Sequence, residues 1–278
     1  MIPDAFSYIK PSNISEALDE LSRGNAKIIA GGHSLVPAMK LRIARPGELI
    51  DITGIEELRQ IREENGEIVI GAAATHHGIE TNKLIRSNLS FFSEAAGEIG
   101  DVQVRNYGTI GGSLANADPG ADWPALILAT EGIIEVRGKK ESRKIKATNF
   151  FTGFFETALG PDEMIISIRI PKPPAATKAN YQKFHQPASR FAIVGCAVIR
   201  FPDGKTNIAF TGVADSAFRD KDAEREVSGK PITDMSISAA LNAALKHVDI
   251  ISDLYASEEY RKHLARVHLK RALQTVSS

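Results

Sequence analysis

The sequence predicts an α+β fold with more than one domain, and three observations support this prediction. Throughout the first 172 residues, short apolar segments typical of buried strands alternate with segments whose apolar residues recur at helical spacing. The proline-rich segment 171–176 then marks a linker, because prolines stiffen a chain and cannot enter a sheet interior. Three strand candidates and two helices follow it. We therefore expect three units, spanning residues 1–55, 56–172 and 177–278.

The first unit is predicted to combine a helix with two strands. Asn13 and Glu16 form an N-cap pattern, and apolar residues then recur at helical spacing until a glycine ends the helix. Residues 27–30 and 49–52 are short apolar runs that predict buried strands. The segment 35–42 between them fits either a short helix or an irregular turn.

The second unit is predicted to contain strands, helices and a hairpin. Residues 67–72 and 163–170 have the composition of strands. Pro124 stands in the first turn of an apolar helix that ends at Ala129. The segment 108–122 is rich in Gly, Ala, Asn and Asp and favours neither helix nor strand. The remaining expected elements are helices at residues 77–87 and 91–99 and a hairpin formed by residues 133–137 and 143–147.

The third unit is predicted to be an antiparallel sheet followed by two helices. Its strand candidates are residues 179–185, 193–201 and 207–213. Asp203-Gly204, between the last two, is a strong turn signal. Of the two helices, one has an apolar stripe that starts at Ile237, and the other carries Tyr260, Leu264 and Val267 on one face.

Charge and cysteine content exclude several classes of function. The 34 basic and 34 acidic side chains give a net charge of zero, whereas nucleic-acid binders usually carry a basic surplus, so we expect no nucleic-acid partner. Cys196 is the only cysteine, so the chain can form neither an internal disulfide nor a cysteine-ligated iron–sulfur centre. Its place in an apolar run predicts a buried side chain. His76 and His77 lack a third residue at metal-ligand spacing, so no metal site is expected.

The sequence also predicts a cytoplasmic location. The first residues do not show the basic segment and apolar core of a signal peptide. The chain has no run of about 18 or more apolar residues, so no membrane span is expected.

Two loops with adjacent glycines predict anion-binding sites. The first glycine loop (residues 30–35) follows an apolar strand, and glycine lets its backbone turn sharply and bring N–H groups close to a ligand. The second glycine loop (residues 108–113) repeats the glycine pair between hydroxyl side chains. Successive N–H groups that face one concavity hold phosphate, so two such loops would suit a dinucleotide cofactor. A tight turn without a ligand explains either loop alone at least as well, and neither matches the Rossmann or P-loop pattern.

The context of these loops resembles a known family. Residues 27–40 (KIIAGGHSLVPAMK) and 103–125 (QVRNYGTIGGSLANADPGADWPA) resemble the two FAD-binding segments of the flavin subunits of molybdenum hydroxylases. This family includes the medium chains of carbon monoxide dehydrogenases and the flavin domain of xanthine dehydrogenases. The resemblance extends over nearly the whole chain, through residues 163–171, 181–192 and the helix at Tyr260. It implies a two-part FAD-binding domain of the vanillyl-alcohol-oxidase type, followed by a C-terminal domain with a three-stranded antiparallel sheet and helices.

The resemblance also implies which residues bind FAD. The glycine loops would contact its pyrophosphate and ribityl parts, Asp122 its adenosine or ribityl part, and Ile99 and Ile165 its adenine side. Lys183 would lie near the flavin and Phe191 beside the isoalloxazine ring. Taken alone, Asp122 also fits a helix N-cap, Lys183 a solvated lysine and Phe191 a core residue. No catalytic residue is expected in this chain. The full set of expected contacts is Ile28, Ile29, Ala30, Gly31, Gly32, His33, Ser34, Leu35, Ile99, Thr109, Ile110, Gly111, Gly112, Ser113, Asp122, Ile165, Lys183 and Phe191.

The function implied by the resemblance is electron transfer within a larger complex. A small subunit with two 2Fe–2S clusters would supply electrons, and a large subunit with a molybdenum cofactor would oxidise the substrate. FAD in this chain would pass the electrons to an external acceptor. The complex would be a heterotrimer or its dimer, and carbon monoxide, an aldehyde and an N-heterocycle are all compatible substrates, because their pocket would lie in another chain.

Two alternatives remain open from the sequence. The first is a self-sufficient flavin-dependent oxidase or dehydrogenase of the same superfold, which would need its own substrate cavity and a catalytic base over the flavin. The second is a non-catalytic module that binds a phosphate in one loop and would purify without colour.

Overall fold

The computed structural model describes residues 2–277, which form both helices and strands. The strands, in chain order, are β1 (Ser7–Ile9), β2 (Ala26–Ile29), β3 (Glu48–Asp51), β4 (Ile61–Glu64), β5 (Glu67–Gly71), β6 (Ile133–Gly138), β7 (Ser142–Lys146), β8 (Phe151–Gly153), β9 (Glu156–Thr157), β10 (Glu163–Pro171), β11 (Lys178–His185), β12 (Ala192–Arg200), β13 (Thr206–Thr211) and β14 (Phe218–Arg219). The α-helices are α1 (Ile14–Leu21), α2 (Leu35–Lys40), α3 (His76–Thr81), α4 (Lys83–Asn88), α5 (Ser90–Gly97), α6 (Val102–Tyr107), α7 (Ile110–Asn116), α8 (Trp123–Ala129), α9 (Lys221–Val227), α10 (Asp234–Ala243) and α11 (Glu258–Ser277). Short 3-10 helices lie at Glu56–Arg59 and Ala147–Asn149.

The strands form one small parallel sheet and larger antiparallel sheets. The first sheet has the order β1-β3-β2, and its parallel pairing requires crossovers such as the one that contains α1. The second has the order β4-β5-β10-β6-β7, and the third has the order β11-β12-β13-β14. Strands β8 and β9 form a separate hairpin. The α+β fold class is therefore confirmed.

Helix α1 shows how the sequence builds the first sheet region. The Asn13 side chain accepts a hydrogen bond from the Glu16 N–H at 3.0 Å and so caps the helix. The apolar residues Ile14, Ala17, Leu18 and Leu21 share one face and are buried. That face packs in a core with residues of β3 and with Met164 of β10, which ties the first sheet to the second.

Strand β12 is covered on both faces, which explains why its apolar run does not alternate with polar residues. Ala197 and Ile199 belong to the core cluster that includes α8. Cys196 and Val198 belong to the cluster that includes α11, and burial raises the pKa of the Cys196 thiol. The prediction of a buried Cys196 is confirmed. Helix α8 therefore packs against the third sheet, on the side opposite α11.

Several local predictions needed correction. The segment 108–122 contains helix α7, which the Thr109 hydroxyl caps by accepting from Gly112 N. Helix α6 precedes it and is capped by the Asp101 side chain, which accepts from Val104 N. The helix expected at 77–87 is two helices, because Asn82 adopts an extended conformation and caps α4. The third sheet gains a fourth strand, β14, and helix α9 was not predicted.

In the described part of the chain, 2–277, no helix combines the length and the apolar character needed to cross a membrane.

Candidate functional site

A cleft of about 560 Å³ lies between the first sheet, helix α7 and the start of β10. Sixteen of the eighteen residues expected to contact FAD line it. The two exceptions are Ile110, whose side chain is in the core, and Lys183, whose buried ammonium pairs with the lining residue Asp122. The structure thus brings together residues from distant parts of the sequence, with both glycine loops in one wall.

The first glycine loop presents an unusual set of free backbone donors. It follows β2 directly, and Gly32 has a φ of 71°, a left-handed conformation that favours glycine. Among residues 2–277, no acceptor is within hydrogen-bond reach of the N–H groups of Gly31 through Leu35. All five residues line the cleft. A row of backbone donors at a concave surface is the arrangement that binds phosphate or another anion.

The second glycine loop differs, because most of its backbone donors are already used. Ile110 N donates to Ala74 O at 3.1 Å, and Gly111 N donates to Ala72 O at 2.9 Å. Gly112 N donates to the Thr109 hydroxyl at 3.1 Å. Within residues 2–277, the Thr109 N–H is the one backbone donor of this loop without a partner, so the loop offers fewer free donors than the expected second anion nest. This loop offers the cleft the Ser113 and Thr109 hydroxyls and a closely approached backbone.

The two loops touch through their glycines. A Cβ on Gly31 would lie 2.3 Å from Tyr107 O and 2.6 Å from Gly108 Cα, so only glycine allows this approach. On the exposed side, the His33 and Tyr107 rings stack with their centroids 5.9 Å apart. The backbone of Tyr107 and Gly108, which leads into the second glycine loop, therefore packs directly against the first glycine loop.

Asp122 and Lys183 form a buried ion pair at the cleft. The Lys183 ammonium donates to an Asp122 carboxylate oxygen at 2.9 Å, and the two side chains are 3% and 4% exposed. Tyr181 donates its hydroxyl to the other carboxylate oxygen at 2.6 Å, and Lys183 also donates to Glu98 O at 3.1 Å. Burial raises the pKa of Asp122, while Lys183 and Tyr181 oppose that rise by stabilising the carboxylate. The Asp122 side chain thus does not cap helix α8, and the Lys183 side chain is buried and not solvated.

Phe191 closes the cleft at the side formed by the third sheet. Its side chain is 42% exposed, so it is not a core residue, and it lies beside Gly120. The backbone here is held by Ala192 N, which donates to Gly120 O at 2.9 Å. Ile99 and Ile165 line the cleft as well, and Ile165 is 5% exposed.

Sequence reasoning missed several lining residues. His76 is the most informative of them, because it is a buried polar residue that the sequence analysis considered only as a metal ligand. The described residues contain no group of three or more His, Cys, Asp or Glu that could hold a metal. Other polar lining residues that were not predicted are Asn116, Asp118, Thr157, Glu163, Ser189 and Arg190. These residues are scattered along the chain, and nothing in the local sequence distinguishes them from surface residues.

Comparison with known proteins places both parts of the chain in one family. Residues 4–173 match the model of the FAD binding domain in molybdopterin dehydrogenase, and residues 179–276 match the CO dehydrogenase flavoprotein C-terminal domain. The carbon monoxide dehydrogenase medium chain of Hydrogenophaga pseudoflava is 39% identical, with 98% of this chain and 97% of the relative covered. The glyceraldehyde dehydrogenase medium chain of Sulfolobus acidocaldarius is 32% identical, with both chains fully covered.

The solved structures give the same result. A structure of the Hydrogenophaga pseudoflava carbon monoxide dehydrogenase matches with a TM-score of 0.95 and 40% identity over 99% of this chain and 98% of the other. With the glycine loops, the cleft and both domain models in agreement, this chain, which has an FAD-binding domain, belongs to the medium subunits of the molybdenum hydroxylase family of oxidoreductases and is close to the carbon monoxide dehydrogenase medium chains.

Proposed function

We propose that this chain holds one FAD in the cleft and passes electrons from the 2Fe–2S clusters of a partner subunit to an external acceptor. The observation that carries the proposal is the row of five backbone N–H groups, Gly31 to Leu35, that have no protein partner within residues 2–277 and belong to residues lining the cleft. A pyrophosphate provides the negative charge and acceptor oxygens that such a row needs. When bound, FAD supplies the two-electron redox chemistry, while the protein supplies position and electrostatics.

The residues of the cleft fit this cofactor in a definite order. The first glycine loop would hold the pyrophosphate through its backbone, with the hydroxyls of Thr109 and Ser113 as further donors. Ile99 and Ile165 would contact the adenine side, and Phe191 would lie against the isoalloxazine ring. Ile110 and Lys183 do not line the cleft, so we assign them supporting roles and not direct contact with the pyrophosphate.

The carboxylates at the cleft decide which residue could act as a base on a substrate. A general base needs a free acceptor within reach of its substrate. Asp122 already accepts from Tyr181 and Lys183, and Glu163 accepts from Arg143 at 2.7 Å. Asp118 accepts only from Gly120 N at 2.9 Å, so it is the carboxylate that a self-sufficient flavin oxidase or dehydrogenase would have to use. The match over both domains to medium chains of multi-subunit dehydrogenases favours the electron-transfer role over that alternative.

The proposed partners are a small iron–sulfur subunit and a large molybdenum subunit, in a heterotrimer or its dimer. The single cysteine cannot ligate an iron–sulfur cluster by itself, so such clusters must belong to another chain. The relatives include medium chains of a carbon monoxide dehydrogenase and of a glyceraldehyde dehydrogenase. Both carbon monoxide and an aldehyde are therefore compatible substrates for the complex that we propose. We further propose a cytoplasmic location and folding units at residues 1–55, 56–172 and 177–278.

The experiment that tests the proposal uses the chain alone and then the native complex. The purified chain is expected to show a flavin absorption spectrum, and the affinity-purified native complex is expected to contain iron, molybdenum and two further subunits. Substrate added to the complex should bleach the flavin band, whereas substrate added to this chain alone should not. A colourless chain that cannot be reconstituted with FAD would contradict the cofactor proposal. Bleaching in the isolated chain would favour the self-sufficient alternative.

Replacing Lys183 by methionine is expected to lower the flavin midpoint potential, because a nearby positive charge stabilises the reduced, more negative flavin. Asp122 at 2.9 Å cancels part of that charge, so the shift should be smaller than a lone buried cation would give. The measurement is a redox titration of the FAD-loaded chain. Lys172→Met is the matched control, because Lys172 is 40% exposed and pairs with Glu63, and neither residue lines the cleft. Equal potentials for Lys183→Met and wild type would exclude this role.

A further inference from the structure

His76 is fixed in the protein at the point where the two glycine loops meet. It is the first residue of α3, and its N–H donates to Gly108 O at 2.9 Å. The preceding residue, Thr75, forms an isolated antiparallel bridge with Thr109. The His76 side chain is 5% exposed, and it lines the cleft. The imidazole is therefore held rigidly against the second glycine loop and next to the proposed cofactor site.

The neighbours of this imidazole determine where its proton lies. The Trp123 indole donates to His76 Nδ1 at 3.1 Å, and an indole N–H can only donate, so Nδ1 must be the acceptor. The neutral ring then carries its proton on Nε2. Burial lowers the pKa of His76 to about 3, and the nearby His33 and Arg105 oppose a positive charge there as well. The ring is thus neutral at physiological pH, with Nε2 as a hydrogen-bond donor.

That donor has no acceptor in the protein. Within residues 2–277, the only hydrogen bond of the His76 side chain is the one from Trp123. Nε2 lies 2.7 Å from the position that a Cβ on Gly108 would take, and Gly108 in turn abuts Gly31. In the described part of the chain, Nε2 is not among the fully buried side-chain atoms without a partner, so it remains accessible from the cleft that His76 lines. A rigidly held donor that is accessible from the cleft, unpaired within the protein and beside the free backbone donors that begin at Gly31 is placed to donate to a ligand.

We propose that His76 is a further cofactor-binding residue, which donates its Nε2–H to a pyrophosphate oxygen of FAD. This inference rests on the proposed FAD site, and it adds a neutral side-chain donor to the backbone donors of Gly31 to Leu35. Trp123 acts as a positioning residue, because its N–H selects the tautomer that donates into the cleft.

The test compares ligands with and without a pyrophosphate on His76→Leu and His76→Gln. Dissociation constants of the full-length chain are measured for FAD and ADP, which carry the pyrophosphate, and for riboflavin, which lacks it. His76→Leu is expected to weaken FAD and ADP by about tenfold and to leave riboflavin unchanged. His76→Gln is expected to recover most of the FAD affinity, because its amide can accept from Trp123 and also donate. Equal weakening of all three ligands, or FAD binding at the wild-type level by His76→Leu, would overturn the proposal.

A second measurement does not depend on any variant folding. In wild-type protein labelled with ¹⁵N-histidine, the Nε2 and Hε2 resonances of His76 are expected to shift on titration with ADP, and Nδ1 should keep the shift of an acceptor. Unmoved Nε2 and Hε2 resonances at saturating ADP would contradict the proposal. Wild-type protein that binds neither FAD nor ADP would instead contradict the FAD site itself, so the two failures are distinguishable.

Discussion

Gly31→Ala is expected to weaken FAD binding by about tenfold to 100-fold. The added Cβ would lie 2.3 Å from Tyr107 O and 2.6 Å from Gly108 Cα, and both are backbone atoms that cannot rotate away. The first glycine loop must therefore move away from the second, which displaces its free N–H groups from the cleft. Overpacking of this kind costs about 1–3 kcal/mol or more, and about 1.4 kcal/mol corresponds to a factor of ten in affinity. Fluorescence titration of the apo chain with FAD measures the change.

The matched control is Gly138→Ala. Gly138 lies in β6, and a Cβ there would meet its nearest atom at 3.5 Å, which is ordinary van der Waals contact. FAD affinity should stay at the wild-type level in this variant. Circular dichroism and thermal unfolding of both apo variants separate local displacement of the loop from global unfolding. A folded Gly31→Ala protein with wild-type FAD affinity would show that the contact between the loops does not position the cofactor site.

Asp122→Ala is expected to lower the free energy of unfolding by about 3–5 kcal/mol, which is the usual cost of leaving one partner of a buried ion pair uncompensated. The Lys183 ammonium would remain at 3% exposure with only Glu98 O as an acceptor, and the Tyr181 hydroxyl would lose its partner as well. Since native domains are stable by only about 5–15 kcal/mol, this change should shift the denaturant midpoint strongly. Urea or guanidinium unfolding of the apo chain measures it.

The double variant Asp122→Ala/Lys183→Met is expected to recover part of the loss, because it removes the stranded charge. Glu63→Ala is the control for losing a carboxylate from an ion pair, since Glu63 and Lys172 are 41% and 40% exposed. An exposed pair of this kind contributes about 0–1 kcal/mol. If Asp122→Ala costs no more than Glu63→Ala, the buried pair does not carry the stability that its geometry implies.

The sequence predicted best those features that depend on neighbouring residues. The cap of α1 by Asn13 needs only residues within one turn, and it lies where the N-cap pattern placed it. The hairpin of β6 and β7 pairs Ile134 with Ile145, on two adjacent strands joined by a charged turn. These elements are specified by local spacing, so one sequence is enough to find them.

Features that depend on distant partners were not predictable from the sequence. The second glycine loop was expected to offer free N–H groups, but Ala72 and Ala74, about 38 residues earlier in the chain, accept from two of them. The pairing of Lys183 with Asp122 joins residues 61 positions apart, and only the fold shows that both are buried. The candidate site was located because the family resemblance supplied its members. The hydrogen-bond partners of those members needed coordinates, and their contacts with FAD remain predictions.

The Asp122 pair also limits how this protein can evolve by exchange of segments. Asp122 is presented by the N-terminal part of the chain, while Tyr181 and Lys183 come from the first strand after the proline-rich segment. A recombinant protein that takes its C-terminal part from a relative still contains the buried Asp122 carboxylate. The C-terminal part must therefore supply both groups that donate to it, the Tyr181 hydroxyl and the Lys183 ammonium. Such chimeras are expected to fold stably only when both donors are transferred together. The two parts of the chain must therefore be inherited together, although a linker separates them.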